Sequence, residues 1–212
     1  MGFRDCGEKP LGIYPIVDRA HKLIPLYARG ITTAQIRIKD LQGASLEEEI
    51  RHAIALSEEA GARLFVNDYW QLAIAHGAYG VHLGQEDIQE ANITALRETG
   101  LRLGVSSHTP EEIAIALALE PSYLAIGPVY PPLSKALVYP PIGPERFARW
   151  AAQAACPVVA IGGITHATIT PILQTAAADG IAIVTDILTP QGEIDPRRVE
   201  RLMELWQTHG RD

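Results

Sequence analysis

Cysteine is nearly absent from this chain, with only Cys6 and Cys156 among 212 residues. Two cysteines cannot form a disulfide framework or, unaided, a zinc site, and their scarcity suits a reducing compartment. Long apolar runs are missing too; none approaches the roughly 18 residues of a membrane span. Positive charge is short, 18 Lys and Arg against 25 Asp and Glu, leaving a net charge of −7. That balance argues against a nucleic-acid-binding face. It leaves anionic substrates open, because a local cluster of cations dominates the field inside a cleft. Residues 1–10 contain charges and no apolar leader core, so no signal peptide is expected. Gly2 is not followed by the Ser or Thr that myristoylation wants at position 6; Cys6 stands there. A soluble, cytoplasmic protein without nucleic-acid or membrane partners is expected. The composition is compatible with a homo-oligomer.

Two motifs are also lacking. After the first apolar run the chain reads Asp18-Arg19-Ala20-His21 where a dinucleotide-binding turn would need G-x-G-x-x-G, which disfavours a doubly wound sheet. No Gly-x-Ser-x-Gly elbow exists to expose a serine nucleophile.

What is present is an ordinary globular balance, 47% apolar and 20% charged. Short apolar runs at 12–18, 33–39, 63–68, 80–84, 102–107, 123–128, 158–163 and 181–187 read as strands. Several are almost continuously apolar, as parallel strands covered on both faces are. Helical patterns lie between them. Ser45-x-x-Glu48 and Thr109-Pro110-x-Glu112 read as capping boxes, Asp195-Pro196 opens the last helix, and Gly61 and Gly100 end helices before strands. The stretch 86–100 is the least regular. Eight β-then-α units in one chain of this length predict a single (β/α)8 TIM barrel over 12–212, preceded by a short tail, 1–11. Segment 128–144 carries six prolines and reads as a functional loop or lid rather than a turn.

In such barrels the chemistry sits at the C-terminal ends of the strands. In Gln35-Ile36-Arg37-Ile38-Lys39 the strand period puts Gln35, Arg37 and Lys39 on one face, towards the barrel, and Ala34, Ile36 and Ile38 on the other. Buried cations need anions, either interior carboxylates or a bound anionic ligand. Asp68 and Asp87 fall at adjacent strand ends; two carboxylates beside a diphosphate suit Mg²⁺, and otherwise they are a helix cap and a loop acid. Ser106 either donates to a phosphate or opens a helix. His82 reads as a hydrogen-bonded barrel residue, and His108 lies near the same mouth. Lys135 either folds over a phosphate or is a solvated loop lysine. Gly162-Gly163 and Val184-Thr185 end the last two strands, where such barrels often bind phosphate, although the glycines also suit a plain tight turn.

These segments together resemble the thiamine-phosphate synthase family: QIRIKD (35–40), VND (66–68), VHLGQED (81–87), LGVSSH (103–108), GPVYPPLSK (127–135), AIGGI (160–164) and GIAIVTDI (180–187). The resemblance spans about residues 12–190. It implies that a pyrimidine diphosphate loses pyrophosphate while a thiazole phosphate attacks through nitrogen, in a dissociative step aided by Mg²⁺. By resemblance, Gln35, Arg37, Lys39, Asn67, Ser106 and Lys135 contact the pyrimidine diphosphate, with Arg37, Lys39, Ser106 and Lys135 catalytic. Asp68 and Asp87 hold the metal. Pro132, Ser134, Gly163, Val184 and Thr185 take the thiazole phosphate. Two positions depart from the family pattern: Pro132 replaces a hydroxyl residue and brings no N–H, and Asp186 would repel a phosphate unless turned away. Those departures motivate two other readings, a thiazole tautomerase of the same superfamily and a non-catalytic phosphate-ligand sensor.

Overall fold

The computed structural model describes residues 2–131 and 139–210. Eight parallel strands close into one barrel in sequence order: β1 (Gly12–Val17), β2 (Thr33–Ile36), β3 (Arg63–Asn67), β4 (Gly80–Leu83), β5 (Arg102–Ser107), β6 (Tyr123–Ile126), β7 (Val158–Ala160) and β8 (Gly180–Ile183). Closure is made by β1 against β8, with Gly12 beside Gly180 and Pro15 beside Ile183. Helices α1 (Leu23–Tyr27), α2 (Gly43–Glu59), α3 (Trp70–Ala75), α4 (Asp87–Glu90), α5 (Ile93–Glu98), α6 (Pro110–Ala118), α7 (Gly143–Ala151), α8 (Thr170–Leu173) and α9 (Pro196–His209) lie between and after the strands. Among the described residues no helix is long and apolar enough to cross a membrane.

The period-two alternation of each strand splits the apolar residues into two cores. Ala34, Ile36, Leu64, Val66, Val81, Leu83, Leu103, Val105, Leu124 and Ile126 face outward and pack with helix residues such as Ile50, Ile54 and Ile113. Tyr14, Ile16, Phe65, Tyr123, Ala125, Val159 and Ala182 face inward and fill the barrel. The interior is crowded by aromatics: the Phe65 and Tyr123 rings meet edge to face at 4.9 Å. Room for them comes from glycine. A Cβ on Gly104 would lie 2.2 Å from the Tyr123 ring, and one on Gly80 2.6 Å from the Phe65 ring.

Some local expectations are corrected. Strand β2 ends at Ile36, not Lys39: β1 stops at Val17, so after the Arg37 N–H bond to the Val17 carbonyl (2.7 Å) no further β1 residue is left to pair with. Helix α2 starts at Gly43, whose φ of +57° turns the chain into the helix, so Ser45 lies in the first turn and is not its cap. Thr109 does cap α6, accepting from the Glu112 N–H at 3.2 Å. Glu112, however, reaches the N–H of His108 rather than that of Thr109. Asp195 caps α9 through the N–H groups of Arg197 and Arg198. Stretch 86–100 divides into α4 and α5, broken at Ala91, whose ψ of 141° is extended, and restarted by the Asn92 cap.

Segment 2–11 packs across the N-terminal end of the barrel. The Arg63 guanidinium donates to the carbonyls of Cys6 (3.2 Å), Lys9 (2.9 Å) and Pro10 (2.6 Å). Arg102 donates to the Asp5 carbonyl and stacks over Tyr79. Burial pushes the Cys6 thiol up to about 12, so it is an inert core group. Because Arg63 satisfies three carbonyls at once, Arg63→Met should cost about 2 kcal/mol. Urea denaturation checks this; an unchanged midpoint would mean the segment docks without it.

Candidate active site

The mouth of the barrel is built by the residues that follow each strand. Arg37 and Lys39 lie in the loop after β2 and are exposed, and Lys39 is ion-paired with Asp68. This corrects the expectation of two buried cations. Gln35 is different: it is 2% exposed, with its amide on the Tyr14 hydroxyl at 3.4 Å, inside the barrel. Asn67, the last residue of β3, is buried beside His82 across the β3–β4 pair.

Asp68 and Asp87 come together. The Asp68 backbone has φ of +63°, uncommon for a residue with a side chain though better tolerated by Asp, and its N–H bonds the His82 carbonyl. Helix α3 starts at Trp70 and its cap position is Tyr69, so Asp68 is not a helix cap. Its carboxylate is ion-paired with the Lys39 ammonium. Asp87 is half-buried and accepts the Gly84 N–H at 3.0 Å. Its carboxyl is pushed above the usual range, first by burial and then by the charge of Asp68 beside it. A carboxyl whose ionised form is disfavoured by burial and by a neighbouring carboxylate, with a lysine drawn onto that neighbour, marks a place that favours added positive charge.

Ser106, on β5, faces the interior with His82 at its back: His82 Nε2 and Ser106 Oγ are 2.7 Å apart. On the other side His82 Nδ1 meets the Tyr123 hydroxyl at 2.6 Å. His82 is buried, which drives its pKa down to about 4, so the ring is neutral at ordinary pH. The expectation that His82 is a hydrogen-bonded barrel residue agrees with this geometry. Gln85 donates to the Ser106 carbonyl at 2.7 Å, tying the loop after β4 to the end of β5. His108 is held by Glu112 and stacks on Tyr139, ring centroids 4.2 Å apart.

At the ends of β7 and β8, Gly162 and Gly163 have φ of +96° and +63°. Side chains there would strike the loop after β6: a Cβ on Gly163 would lie 2.3 Å from the Pro131 carbonyl. Close packing of that loop therefore requires glycine here. Val184 and Thr185 are exposed at the mouth. Asp186 is 6% exposed, and its carboxylate accepts the His166 N–H at 2.6 Å and faces the ring Nδ1 at 3.0 Å. Pro132, Ser134 and Lys135 lie outside the described residues. The chain on either side is anchored, Tyr130 by the Thr168 carbonyl and Tyr139 by Glu112.

Sequence reasoning missed Tyr14, Tyr123 and Gln85. The two tyrosines stand among residues that look purely apolar; their inward parity, shared with Gln35 and Ser106, was the available signal.

The fold and mouth define a (β/α)8-barrel enzyme whose strand ends gather cations and paired carboxylates. Residues 13–187 match the family model described as thiamine monophosphate synthase, and the chain belongs to that family. A thiamine-phosphate synthase from Photorhabdus laumondii is 46% identical over 181 residues, 85% of this chain and 83% of that protein. One from Citrobacter koseri is 47% identical over 178 residues, 84% of each chain. The solved thiamine phosphate pyrophosphorylase from Pyrococcus furiosus superposes with a TM-score of 0.80 at 29% identity, covering 93% of this chain and 96% of that one. The chain is thus a transferase of the thiamine biosynthetic type.

Proposed function

We propose that this enzyme joins 4-amino-2-methyl-5-(diphosphooxymethyl)pyrimidine to a thiazole phosphate, giving thiamine phosphate and pyrophosphate with Mg²⁺ as cofactor. The observation that carries the reading is the cluster of Lys39, Asp68 and Asp87 at the mouth. Among the described residues no group of three or more His, Cys, Asp and Glu could enclose a metal. Two carboxylates fit Mg²⁺ if phosphate oxygens and water complete its shell, which is how this ion usually binds at phosphate sites. Asp68 and Asp87 would hold it, and when bound it supplies charge that stabilises the leaving diphosphate.

The chain's own residues do the rest. The C–O bond between the pyrimidine methylene and the diphosphate breaks, and the thiazole nitrogen forms the new C–N bond to the same carbon. The electron pair of the broken bond leaves on pyrophosphate, where Arg37, Lys39 and Lys135 meet it as cations and Ser106 as a donor. The aminopyrimidine ring can carry the transient positive charge, so no strong general base is needed; a neutral, buried His82 is compatible with that. Asn67 and Gln35 fix the pyrimidine end. Pro132, Ser134, Gly163, Val184 and Thr185 receive the thiazole phosphate, and holding both partners aligned supplies the remaining acceleration.

The purified chain, given both substrates, should form thiamine phosphate and pyrophosphate with Mg²⁺ and lose activity in chelator. No product from authentic substrates with metal present rejects the proposal. Isomerisation of a thiazole phosphate that is indifferent to chelator would indicate the tautomerase instead, and tight thiazole-phosphate binding without turnover the sensor.

A further inference from the structure

A continuous line of polar side chains crosses the otherwise apolar barrel interior. Gln35 Nε2 meets the Tyr14 hydroxyl at 3.4 Å, Tyr14 meets Tyr123 at 2.8 Å, Tyr123 meets His82 Nδ1 at 2.6 Å, and His82 Nε2 meets Ser106 Oγ at 2.7 Å. Tyr14, Gln35, His82 and Tyr123 are all at most 5% exposed. Burying four polar groups in a core costs free energy unless every donor finds an acceptor. An apolar set would fill the same volume without that demand, so the line asks for a purpose.

We propose that this line is a one-way hydrogen-bond chain in which His82, held in its Nε2–H tautomer by Tyr123, is a positioning residue that makes the Ser106 hydroxyl a donor towards the mouth. The proposal rests on the reading that Ser106 faces the diphosphate. Its direction follows from placing each proton once. The Gln35 amide nitrogen can only donate, so the Tyr14 oxygen accepts and Tyr14 passes its proton towards Tyr123. Tyr123 then donates to His82 Nδ1, which must be bare. The remaining ring proton sits on Nε2 and donates to Ser106 Oγ. With that lone pair engaged, the serine's own proton points away from His82, and an anion at the mouth is the acceptor it suits.

A doubly protonated ring breaks the chain. Nδ1–H would then donate to Tyr123, whose proton would turn to Tyr14, leaving the Tyr14 proton facing the donors of Gln35 and Tyr123. The opposite tautomer, Nδ1–H, would make Ser106 donate into the barrel and present only lone pairs, which an anion repels.

Nitrogen-15 NMR of the full chain, labelled at histidine and free of ligand, reads the tautomer directly. The expected result is a protonated Nε2 and a bare Nδ1 on His82. An Nδ1–H or doubly protonated ring overturns the proposal whether or not the chain proves to be a synthase. Tyr123→Phe removes one oxygen from the chain. It should shift the tautomer balance and lower kcat about tenfold, the usual cost of losing an outer hydrogen-bond partner, with KM for the diphosphate substrate nearly unchanged. Tyr123→Phe should add little to the loss already caused by Ser106→Ala; additive losses would show that the chain does not act through Ser106. His82→Gln keeps a terminal N–H and should retain more activity than His82→Leu. Equal activity of the two overturns the role of the donated hydrogen bond. Absence of synthase activity in the unaltered chain would instead reject the functional reading and leave the tautomer result standing.

Discussion

Asp87→Asn lowers the rate of thiamine phosphate formation by about two to three orders of magnitude, the scale lost when one preorganised electrostatic contact to a developing charge is removed. The fold should survive. Asp87 is half-buried, and its carboxyl is already destabilised in the ionised form by burial and by Asp68. A raised carboxyl pKa means the folded state holds the proton more tightly than the unfolded state, so this group's contribution falls as pH rises through its folded pKa. At neutral pH the amide therefore relieves a repulsion, and the metal-free variant should melt no lower than the unaltered chain. Adding Mg²⁺ should raise the melting temperature of the unaltered chain and not that of the variant, since an ion that binds only the folded state stabilises it by mass action. A variant with near-normal turnover would remove Asp87 from the site. A variant that is inactive because it is unfolded would make Asp87 a structural residue.

The other large effect is on stability. Gly104→Val should cost about 3 kcal/mol or more, at the upper end of what overpacking a core does. A Cβ there would sit 2.2 Å from Tyr123 ring carbons and 2.4 Å from its hydroxyl oxygen. Tyr123 cannot swing aside, because its ring meets Phe65 at 4.9 Å and Tyr14 at 5.8 Å. Urea denaturation measures the loss. Tyr123→Ala in the same chain should recover part of it, because the pair shares one volume and their effects are coupled. Full stability of Gly104→Val would contradict the interior packing described above.

Much of this architecture is readable in the chain. Strands such as Arg102–Ser107 and helices with true caps at Thr109 and Asp195 announce themselves through local pattern, since their start signals and periodicity act within a few residues. Ser45 misled because a favourable capping pattern competes with the path of the incoming loop, which only tertiary packing sets. Lys39 and Asp68 were readable as charged residues at strand ends, but their pairing was not, because it joins the ends of two neighbouring strands. Asp186 looks adverse to phosphate in sequence; its contact with His166 joins the ends of β7 and β8 and cannot be inferred from either alone. Gly163 has a reason in packing that the motif did not reveal, the approach of the loop after β6.

Alternation of eight strands with helices, the placing of Arg37, Lys39, Asp68, Asp87 and Ser106 at strand ends, and the family resemblance were determined by the sequence itself. Those features follow from local periodicity and from residue type at fixed spacing. Only the tertiary structure decided that Arg37 and Lys39 meet water at the rim, that Asp68 and Asp87 share a charge environment, and that Tyr14, Tyr123 and His82 link Gln35 to Ser106. These depend on barrel closure, which brings the inward faces of distant strands within hydrogen-bond reach; no spacing along the chain encodes such a contact directly.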